Sequence, residues 1–524
     1  MDSKNLSLAL IGADNTDKVV EILKNEGLWD SPKDWKPYGG EEGNYSVIGN
    51  QQACPENAFL ENPINSTDAM FTRECKRLGI DPNDQNLTPR SMREASEKFF
   101  GIQDGQVTNL SFKERRLLAE DIGIMAKGVR GKNPTLSVFD RGEGQSPTNF
   151  EDTFLSLAKT NKIKQLFVQG KMNQGSTGCL RFCGEHHLKF ILSRKDPKIL
   201  ASNESDEWGF TLVRKEPPSK GNRSSVYTYL APGGKILSFP GQALSILPTK
   251  YPKTFGEDLE WGTFIQLYDY ELAGYKTNIC LDLADRLSAL MPNPPYPYRF
   301  YERRTGYQAH TYERTMIGLT ARLEEDRSKN VEPGFPVTGP MKVLGEKLCY
   351  KIYALNRSAT KKRRYKKNEG VIFSYNGQSH GIELESFFTR KNVNMSYIKD
   401  SILVLVDCSH LSAAGFEDMF MPSRDRMPDT ELVRAVKAQL ETIISGHPAL
   451  RKLREERKRQ DVDAQLDNAK PLKEIYEKLI KQSPTLAKVM LKGFKLSNPF
   501  DVTGSTTKDF NGKKYPSYFR LIKR

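Results

Sequence analysis

The segment from Gln51 to Leu78 limits the possible folds more than any other part of the chain. Apolar residues recur there at helical spacing (Phe59, Ile64, Ala69, Met70, Leu78), Pro55 suits the first turn of a helix, and Gly79 suits its end. The same stretch carries Glu61-x-x-x-Asn65-x-x-Asp68-Ala69. On a helix, positions i, i+4 and i+7 share one face, so a carboxylate, an amide and a second carboxylate point into one cleft. A carboxylate can orient a water for attack on a phosphate, and an amide oxygen is a hard ligand suited to Mg²⁺. A solvated polar face has the same spacing. Pro63 lies inside the motif and removes one helical hydrogen bond, which predicts a kink or a delayed start between Glu61 and Asn65.

Around this helix the pattern changes several times. Val19–Leu23 is amphipathic, and a Gly/Pro-rich loop runs from Pro32 to Gly43. Residues 80–132 read as a polar helical insertion, with Ser111 capping a helix from Phe112 to Ala126. Thr135–Phe139 reads as a short strand entering a glycine turn. Between 187 and 272 the pattern is β, with strands at Leu188–Leu192, Phe210–Val213, Val226–Leu230 and Phe264–Tyr268 and a turn at Pro232-Gly233-Gly234. Four prolines between Pro292 and Pro297 read as a linker. A second α/β region follows at about 340–447, with a buried strand at Ser401–Asp407 and a helix face formed by Leu432, Val436, Leu440 and Ile443. Residues 449–493 read as helical and highly charged, and 494–524 as a basic tail. The expected division is 1–290, 299–447 and 448–524, with no internal repeat.

At 524 residues the chain can bury a large core, and 37% hydrophobic with 27% charged residues describes a soluble globular protein. No run approaches the ~18 apolar residues of a membrane span, and Met1–Asp14 has no convincing signal sequence, so a cytoplasmic protein without a membrane partner is expected. The seven cysteines are odd in number and scattered, which predicts reduced thiols. Cys179, Cys183, His186 and His187 form a compact cluster that suggests zinc, but buried, apolar-acting cysteines are the better reading of this spacing. A net charge of +14 favours polyanionic partners without naming one. Phe519–Leu521 reads as the start of a strand, which leaves a further C-terminal domain open.

Three more short motifs follow the first. Asp140-x-Gly142-x-Gly144 stands where a strand ends: a carboxylate there can accept from an exocyclic amine, and the glycines let a flat base approach the backbone. A surface turn has the same composition. Gly170-x-x-Asn173-x-Gly175-x-x-Gly178 leads into an apolar segment and could present backbone N–H groups to phosphates, or be a plain Gly/Ser linker. Gly262-Thr263 begins a strand and could turn a hydroxyl into the same cleft.

In this order, the four motifs resemble those of the GHKL superfamily, the Bergerat-fold ATPases that include gyrase B, MutL, histidine kinases, MORC proteins and the ninety-kilodalton heat-shock chaperone. The resemblance covers about residues 45–275 and continues less firmly to about 447. It implies an α+β fold: a Bergerat α/β sandwich, then a transducer-like α/β domain, then a helical charged region. It also implies ATP and Mg²⁺ as cofactors. Glu61 matches the general base and Asn65 the Mg²⁺ ligand; Asp140 matches the adenine-selecting carboxylate, with Gly142 and Gly144 shaping the base pocket. Gly170, Asn173, Gly175 and Gly178 fall on the lid over the triphosphate, Thr263 on the threonine that reaches adenine, and Asp68 on an acid near the adenine end. The inserted proline, the long gap from Asn65 to Asp140 and a glycine-poor lid depart from the pattern.

Within the superfamily, a hydrolytic glutamate and the lack of a recognisable phosphoacceptor helix argue against a kinase. Val371–Tyr375, Ser401–Asp407 and Met421–Arg426 resemble the transducer of MutL, gyrase B and MORC proteins, where a basic residue senses the γ-phosphate; Arg424 fits best and Arg426 second. The helix Thr430–Ser445 favours a MORC-like or MutL-like arrangement, implying a homodimer closed by ATP. Two functions stay open: an ATP-gated clamp on DNA, in prokaryotic antiviral defence or repair and served by a separate effector or nuclease, and a protein-remodelling chaperone. A regulatory module that holds ATP without turnover is a third. The run Lys361, Lys362, Arg363, Arg364, Tyr365, Lys366, Lys367 is the expected DNA contact, with Tyr365 as a stacking face. A localisation signal or a solvated loop has the same composition.

Overall fold

The helix Pro55–Arg77 is continuous through Pro63. The proline leaves the Phe59 carbonyl without its backbone donor, and the side-chain amide of Asn62 fills the gap, donating to that carbonyl at 3.2 Å. The expected delayed start is therefore corrected: Glu61 and Asn65 lie on one uninterrupted helix that begins at Pro55. The computed structural model describes residues 1–462 except 50, 53, 158–161, 163, 171–174, 219–222, 273–276, 308–310 and 422–425.

The architecture is mixed α+β. Among the described residues, ten strands form one sheet. From one edge it runs Trp35–Pro37, Val226–Leu230, Glu207–Glu216, Lys189–Arg194, Gly262–Leu267, Thr135–Asp140, Ile122–Lys127, Tyr298–Glu302, Glu313–Met316, with Leu237–Pro240 paired beside Glu207–Glu216. Period-two alternation sends successive side chains to opposite faces, and the central strands Lys189–Arg194, Gly262–Leu267, Thr135–Asp140 and Ile122–Lys127 are buried on both. Ile122, Ile124, Leu136, Val138 and Ile265 pack under Phe59, Ile64, Met70 and Phe71 of the long helix. Met125, Phe139, Phe190, Leu192 and Phe264 face Leu6, Leu10 and Ile11 of the N-terminal helix Ser3–Gly12. Burying each of these large side chains contributes about 1.5–3 kcal/mol, which is what fixes the long helix across the sheet.

Two expectations in this region are corrected. The helix capped by Ser111 ends at Ala119, and Ile122–Lys127 is a buried strand inside the sheet. Its run Ile-Gly-Ile-Met-Ala is apolar on both faces, which a helical pattern cannot be told from over so short a length. The proline-rich stretch does not end the first sheet either, because Tyr298–Glu302 pairs in parallel with Ile122–Lys127.

A second sheet of five strands runs Val337–Val343, Glu346–Ala354, Ile402–Asp407, Glu369–Tyr375, Gln378–Leu384. The last two strands are joined by Asn376-Gly377, both with positive φ (48° and 81°), which matches the right-handed twist of the flanking strands. Thr430 caps the helix Glu431–Gly446, whose buried residues are Leu432, Val433, Val436, Leu440 and Ile444; Ile443 is only half-buried. Both sheets belong to one unit, Met1–Arg451. Of the second unit, Lys452–Arg524, the described residues 452–462 are helical, and the expected basic tail at 494–524 lies outside the described residues. Among the described residues, no helix is long and apolar enough to cross a membrane.

Candidate functional site

The motif residues gather where strand Thr135–Asp140 ends beneath the long helix. Asp140 and Thr263 are directly opposed across the antiparallel pair of strands. The Asp140 carboxylate is buried; it accepts from the Ser66 hydroxyl at 2.8 Å and from the Gly142 N–H at 2.9 Å. Burial pushes its pKa up to about 7, against the pull of those two donors and of the nearby Arg73 guanidinium. Thr263 is buried, its hydroxyl lies 3.0 Å from that of Ser193, and Ser193 donates to the Gly262 carbonyl at 2.9 Å.

The glycines of this corner are required by contact. A Cβ at Gly142 would stand 2.6 Å from the Ala69 Cβ, so only glycine lets the turn close on the helix. Gly144 has φ of 62°, and a Cβ there would fall 1.8 Å from the Arg194 carbonyl oxygen. Between them, the Glu143 N–H donates to the Ala69 carbonyl at 3.1 Å, joining the first motif to the second.

Nearer the N-terminus of the same helix, Glu61 is buried and Asn65 half-buried. Asp68 is fully buried; its carboxylate accepts the N–H groups of Gln169 and Gly170, both at 2.9 Å, and pairs with Lys162 at 3.3 Å. Asp68 thus anchors the start of the glycine-rich segment. A Cβ on Gly170 would lie 3.0 Å from Asp68 Oδ2 and 3.4 Å from Asn65 Oδ1. The far end of that segment is the 3-10 turn Gly175–Phe182. Thr177 donates to Gln51 Oε1 at 2.8 Å, and a Cβ on Gly178 would touch Gln52 at 3.2 Å. Asn173 lies outside the described residues, as does Arg424; Arg426 is exposed.

Sequence reasoning missed three residues. Ser66 sits inside the first motif, hidden by a template that reads only i, i+4 and i+7. Ser193 carried no signal. Gln169 immediately precedes the glycine-rich motif, and its side chain donates to Gln378 Oε1 at 2.6 Å and to the Tyr375 carbonyl at 3.3 Å. Cys179 and Cys183 are buried, as expected of apolar-acting thiols, and His187 meets the Tyr227 hydroxyl at 2.7 Å.

The basic run divides. Lys361, Lys362, Arg363, Arg364 and Lys367 are exposed. Lys366 is buried: its ammonium donates to the Ile402 carbonyl at 2.6 Å and pairs with Glu385 at 3.1 Å, and burial holds it below the usual lysine range. Tyr365 is buried as well, its hydroxyl donating to Asp326 at 2.6 Å. The expectation that Lys366 contacts DNA and that Tyr365 offers a stacking face is therefore corrected, since neither can reach a ligand while these bonds hold.

No family model matches the sequence. No curated protein matches it either. Among solved structures, the B-subunit of the DNA gyrase from Myxococcus xanthus is similar over 70% of this chain and 95% of that chain, at 10% identity and a TM-score of 0.32. A likeness of that size carries no argument about function.

Proposed function

We propose that this protein is an ATPase of the GHKL type, in which ATP closes two copies into a clamp acting on DNA. One observation supports the nucleotide site above all: Ser66 of the long helix and Thr263 both stand at Asp140, so three motifs spread over some two hundred residues of sequence share one corner of one sheet.

The residues at that corner fit an adenine nucleotide with Mg²⁺. A buried carboxylate flanked by the hydroxyls of Ser66, Thr263 and Ser193 is a hydrogen-bonding set for the edge of a flat, amine-bearing base. Ionised Asp140 accepts from the exocyclic amine, and Gly142 and Gly144 leave the base plane clear. Asn65 offers one amide oxygen, enough for an ion that takes its remaining ligands from phosphate and water. When bound, Mg²⁺ neutralises charge on the phosphates. Glu61 lies five residues from Ser66, about 7.5 Å nearer the start of the helix along its axis. It orients the attacking water and takes its proton at the carboxylate. Asn173, Gly175 and Gly178 supply backbone N–H groups to the phosphates, Gly170 being the root of the segment with its own N–H held by Asp68, and Arg424 senses the terminal phosphate, with Arg426 as the alternative.

The DNA assignment draws support from the exposed cations Lys361, Lys362, Arg363 and Arg364. The deciding experiment is ATP hydrolysis by the full chain with and without duplex DNA, alongside Glu61→Gln. Turnover stimulated by duplex and abolished in the variant, with ATP still bound, supports the reading. Stimulation by an unfolded polypeptide instead of DNA points to a remodelling chaperone. Turnover near wild type in Glu61→Gln removes that residue from the mechanism.

A further inference from the structure

Strand Thr135–Asp140 carries the nucleotide corner at its last residue; its first residue, about 17 Å away, opens on a different feature. There a cleft of about 220 Å³ is lined by Arg130, Lys132, Thr277, Arg304 and Tyr307 among others. Arg130 and Lys132 are exposed, and neither forms an ion pair with a described residue. Arg304 is different, since its guanidinium is engaged by both carboxylate oxygens of Glu302, at 2.9 and 2.7 Å. The acid on the wall, Asp282, accepts the Thr277 N–H at 3.3 Å. The cleft thus holds two cations outside any ion pair against one carboxylate, which leaves its wall net positive.

Aromatic surface adjoins these cations. The Arg130 and Arg304 guanidinium groups lie 5.4 and 5.0 Å from the Tyr307 ring centre. The Tyr312 hydroxyl donates to the Tyr307 carbonyl at 3.2 Å, and Tyr312 stacks on Tyr251 with ring centres 3.7 Å apart and planes 9° from parallel. Tyr251 is 39% exposed and is flanked by the exposed Lys250 and Lys253. Its loop is held in place by Arg303, which donates to the Thr249 and Lys253 carbonyls at 2.7 and 3.1 Å and pairs with Glu313 at 2.8 Å. The stack is therefore presented on a fixed loop.

We infer that this end of the molecule binds single-stranded nucleic acid, with a backbone phosphate in the Arg130–Lys132 cleft and an unpaired base on the Tyr251–Tyr312 stack. Cations outside any ion pair beside a fixed aromatic platform are the pair of features that backbone-tracking, sequence-tolerant single-strand binding uses. A duplex hides its base faces and has nothing to place on Tyr251. The site uses none of the nucleotide-motif residues and none of the Lys361–Arg364 cations, so it goes beyond the ATPase reading and does not depend on it.

The test is fluorescence anisotropy of a labelled oligothymidylate of ~15 nucleotides, and of a duplex of the same length, on the full chain without ATP. The oligothymidylate is expected to bind. Arg130→Gln/Lys132→Gln should weaken it at least about tenfold and flatten the slope of log affinity against log salt by about 0.7, the share of one phosphate contact on a single strand. Tyr251→Ala should weaken single-strand binding roughly 5- to 100-fold while sparing the duplex, and Tyr251→Phe should restore it. All the substituted side chains are exposed, melting is followed in parallel, and Lys132→Gln alone repeats the test should the double variant unfold. Wild-type oligothymidylate binding in the cleft and Tyr251→Ala variants overturns the inference. So does an equal loss of duplex and single strand in Tyr251→Ala. A cleft that binds inorganic phosphate, lost in the double variant, but no oligonucleotide overturns it too. Because binding is read without ATP, a protein that never hydrolyses ATP leaves this result untouched, and the two failures stay separate.

Discussion

The side chains of Gln169 and Gln378 meet at 2.6 Å in a buried contact between the glycine-rich segment and the second sheet. The backbone N–H of the same Gln169 is held by Asp68 of the long helix. One residue is thus tied to the helix that bears Glu61 and to the Asn376-Gly377 hairpin that closes the second sheet. If the segment is the lid of an ATPase, Gln169 is a positioning residue through which the second sheet acts on it.

Gln169→Ala separates the two attachments, since it removes the side-chain amide and keeps the N–H that Asp68 accepts. Loss of the buried amide pair should cost about 1–2 kcal/mol of stability. ATP affinity should hold while turnover falls about five- to tenfold, because the site residues survive and only their closure is impaired. Equilibrium binding measured beside single-turnover hydrolysis checks this. A fall in stability with both constants unchanged would make the contact purely structural.

Asp140→Asn should abolish adenosine binding and at the same time stabilise the protein at high pH. The amide can take over the present bonds, accepting from Gly142 and donating to Ser66, but it brings an NH₂ to an edge where an acceptor is needed. The stability sign follows from the pKa raised to about 7 by burial. The folded state holds the Asp140 proton more tightly than the unfolded chain, so the stability this proton contributes is full below about pH 4 and is lost as pH rises through 7. The Asn variant carries no such loss and should exceed wild type above pH 7, by on the order of 1–4 kcal/mol, converging with it in acid. Adenosine affinity of the wild type should fall about tenfold from pH 8 to pH 6 as the acceptor is protonated. Denaturant midpoints and calorimetric titration across that range decide the matter; a variant less stable than wild type at pH 8 would contradict the buried, uncompensated carboxylate.

Much of this corner was readable because its chemistry lies in short local motifs. Spacing alone set Glu61, Asn65 and Asp68 on one helix face, and Asp140 with Gly142 and Gly144 at the end of a strand. The role of Asp68 was not readable. Its partners, Gln169 and Gly170, are a hundred residues away in sequence, and no local pattern says that a buried acid holds a backbone segment. Lys366 and Tyr365 failed for a related reason, since a charge run records composition while burial is decided by Glu385 and Asp326 on other elements. The Asn376-Gly377 turn, by contrast, is a hairpin signal in the sequence, with the apolar run Val371–Phe373 before it and the more polar strand Gln378–Leu384 after it.

The side chain that closes the gap at Pro63 makes a local prediction free of any functional reading. Asn62→Ala leaves the Phe59 carbonyl buried without its donor and should lower stability by about 1–2 kcal/mol. Pro63→Ala restores a backbone N–H to the same carbonyl, so the penalty of Asn62→Ala should vanish in the Pro63→Ala background. A double-mutant cycle on denaturant midpoints measures that coupling. Additive effects would show that Asn62 acts elsewhere, for instance on the adjoining Cys179.

The exposed part of the basic run predicts a salt-dependent duplex contact. Lys361 and Lys362 form no ion pair with a described residue, whereas Arg364 already pairs with Asp326 at 3.0 Å and the Arg363 guanidinium donates to the Lys367 carbonyl at 2.9 Å. Replacing Lys361, Lys362, Arg363 and Arg364 with Gln should weaken duplex binding with little sequence preference. It should also flatten the slope of log affinity against log salt by about two to three, at ~0.9 per phosphate, the Arg364 share being reduced by its partner. Lys366→Gln provides the contrast. Its ammonium is buried against Ile402 and Glu385, so that substitution should lower stability and leave the salt slope where it was. Anisotropy titrations over a series of salt concentrations separate the two. If the quadruple variant keeps the wild-type slope, the loop is a bystander to DNA. If Lys366→Gln shifts the slope as much as any exposed lysine, the buried pair opens in the DNA-bound protein, and the distinction between the two halves of the run falls.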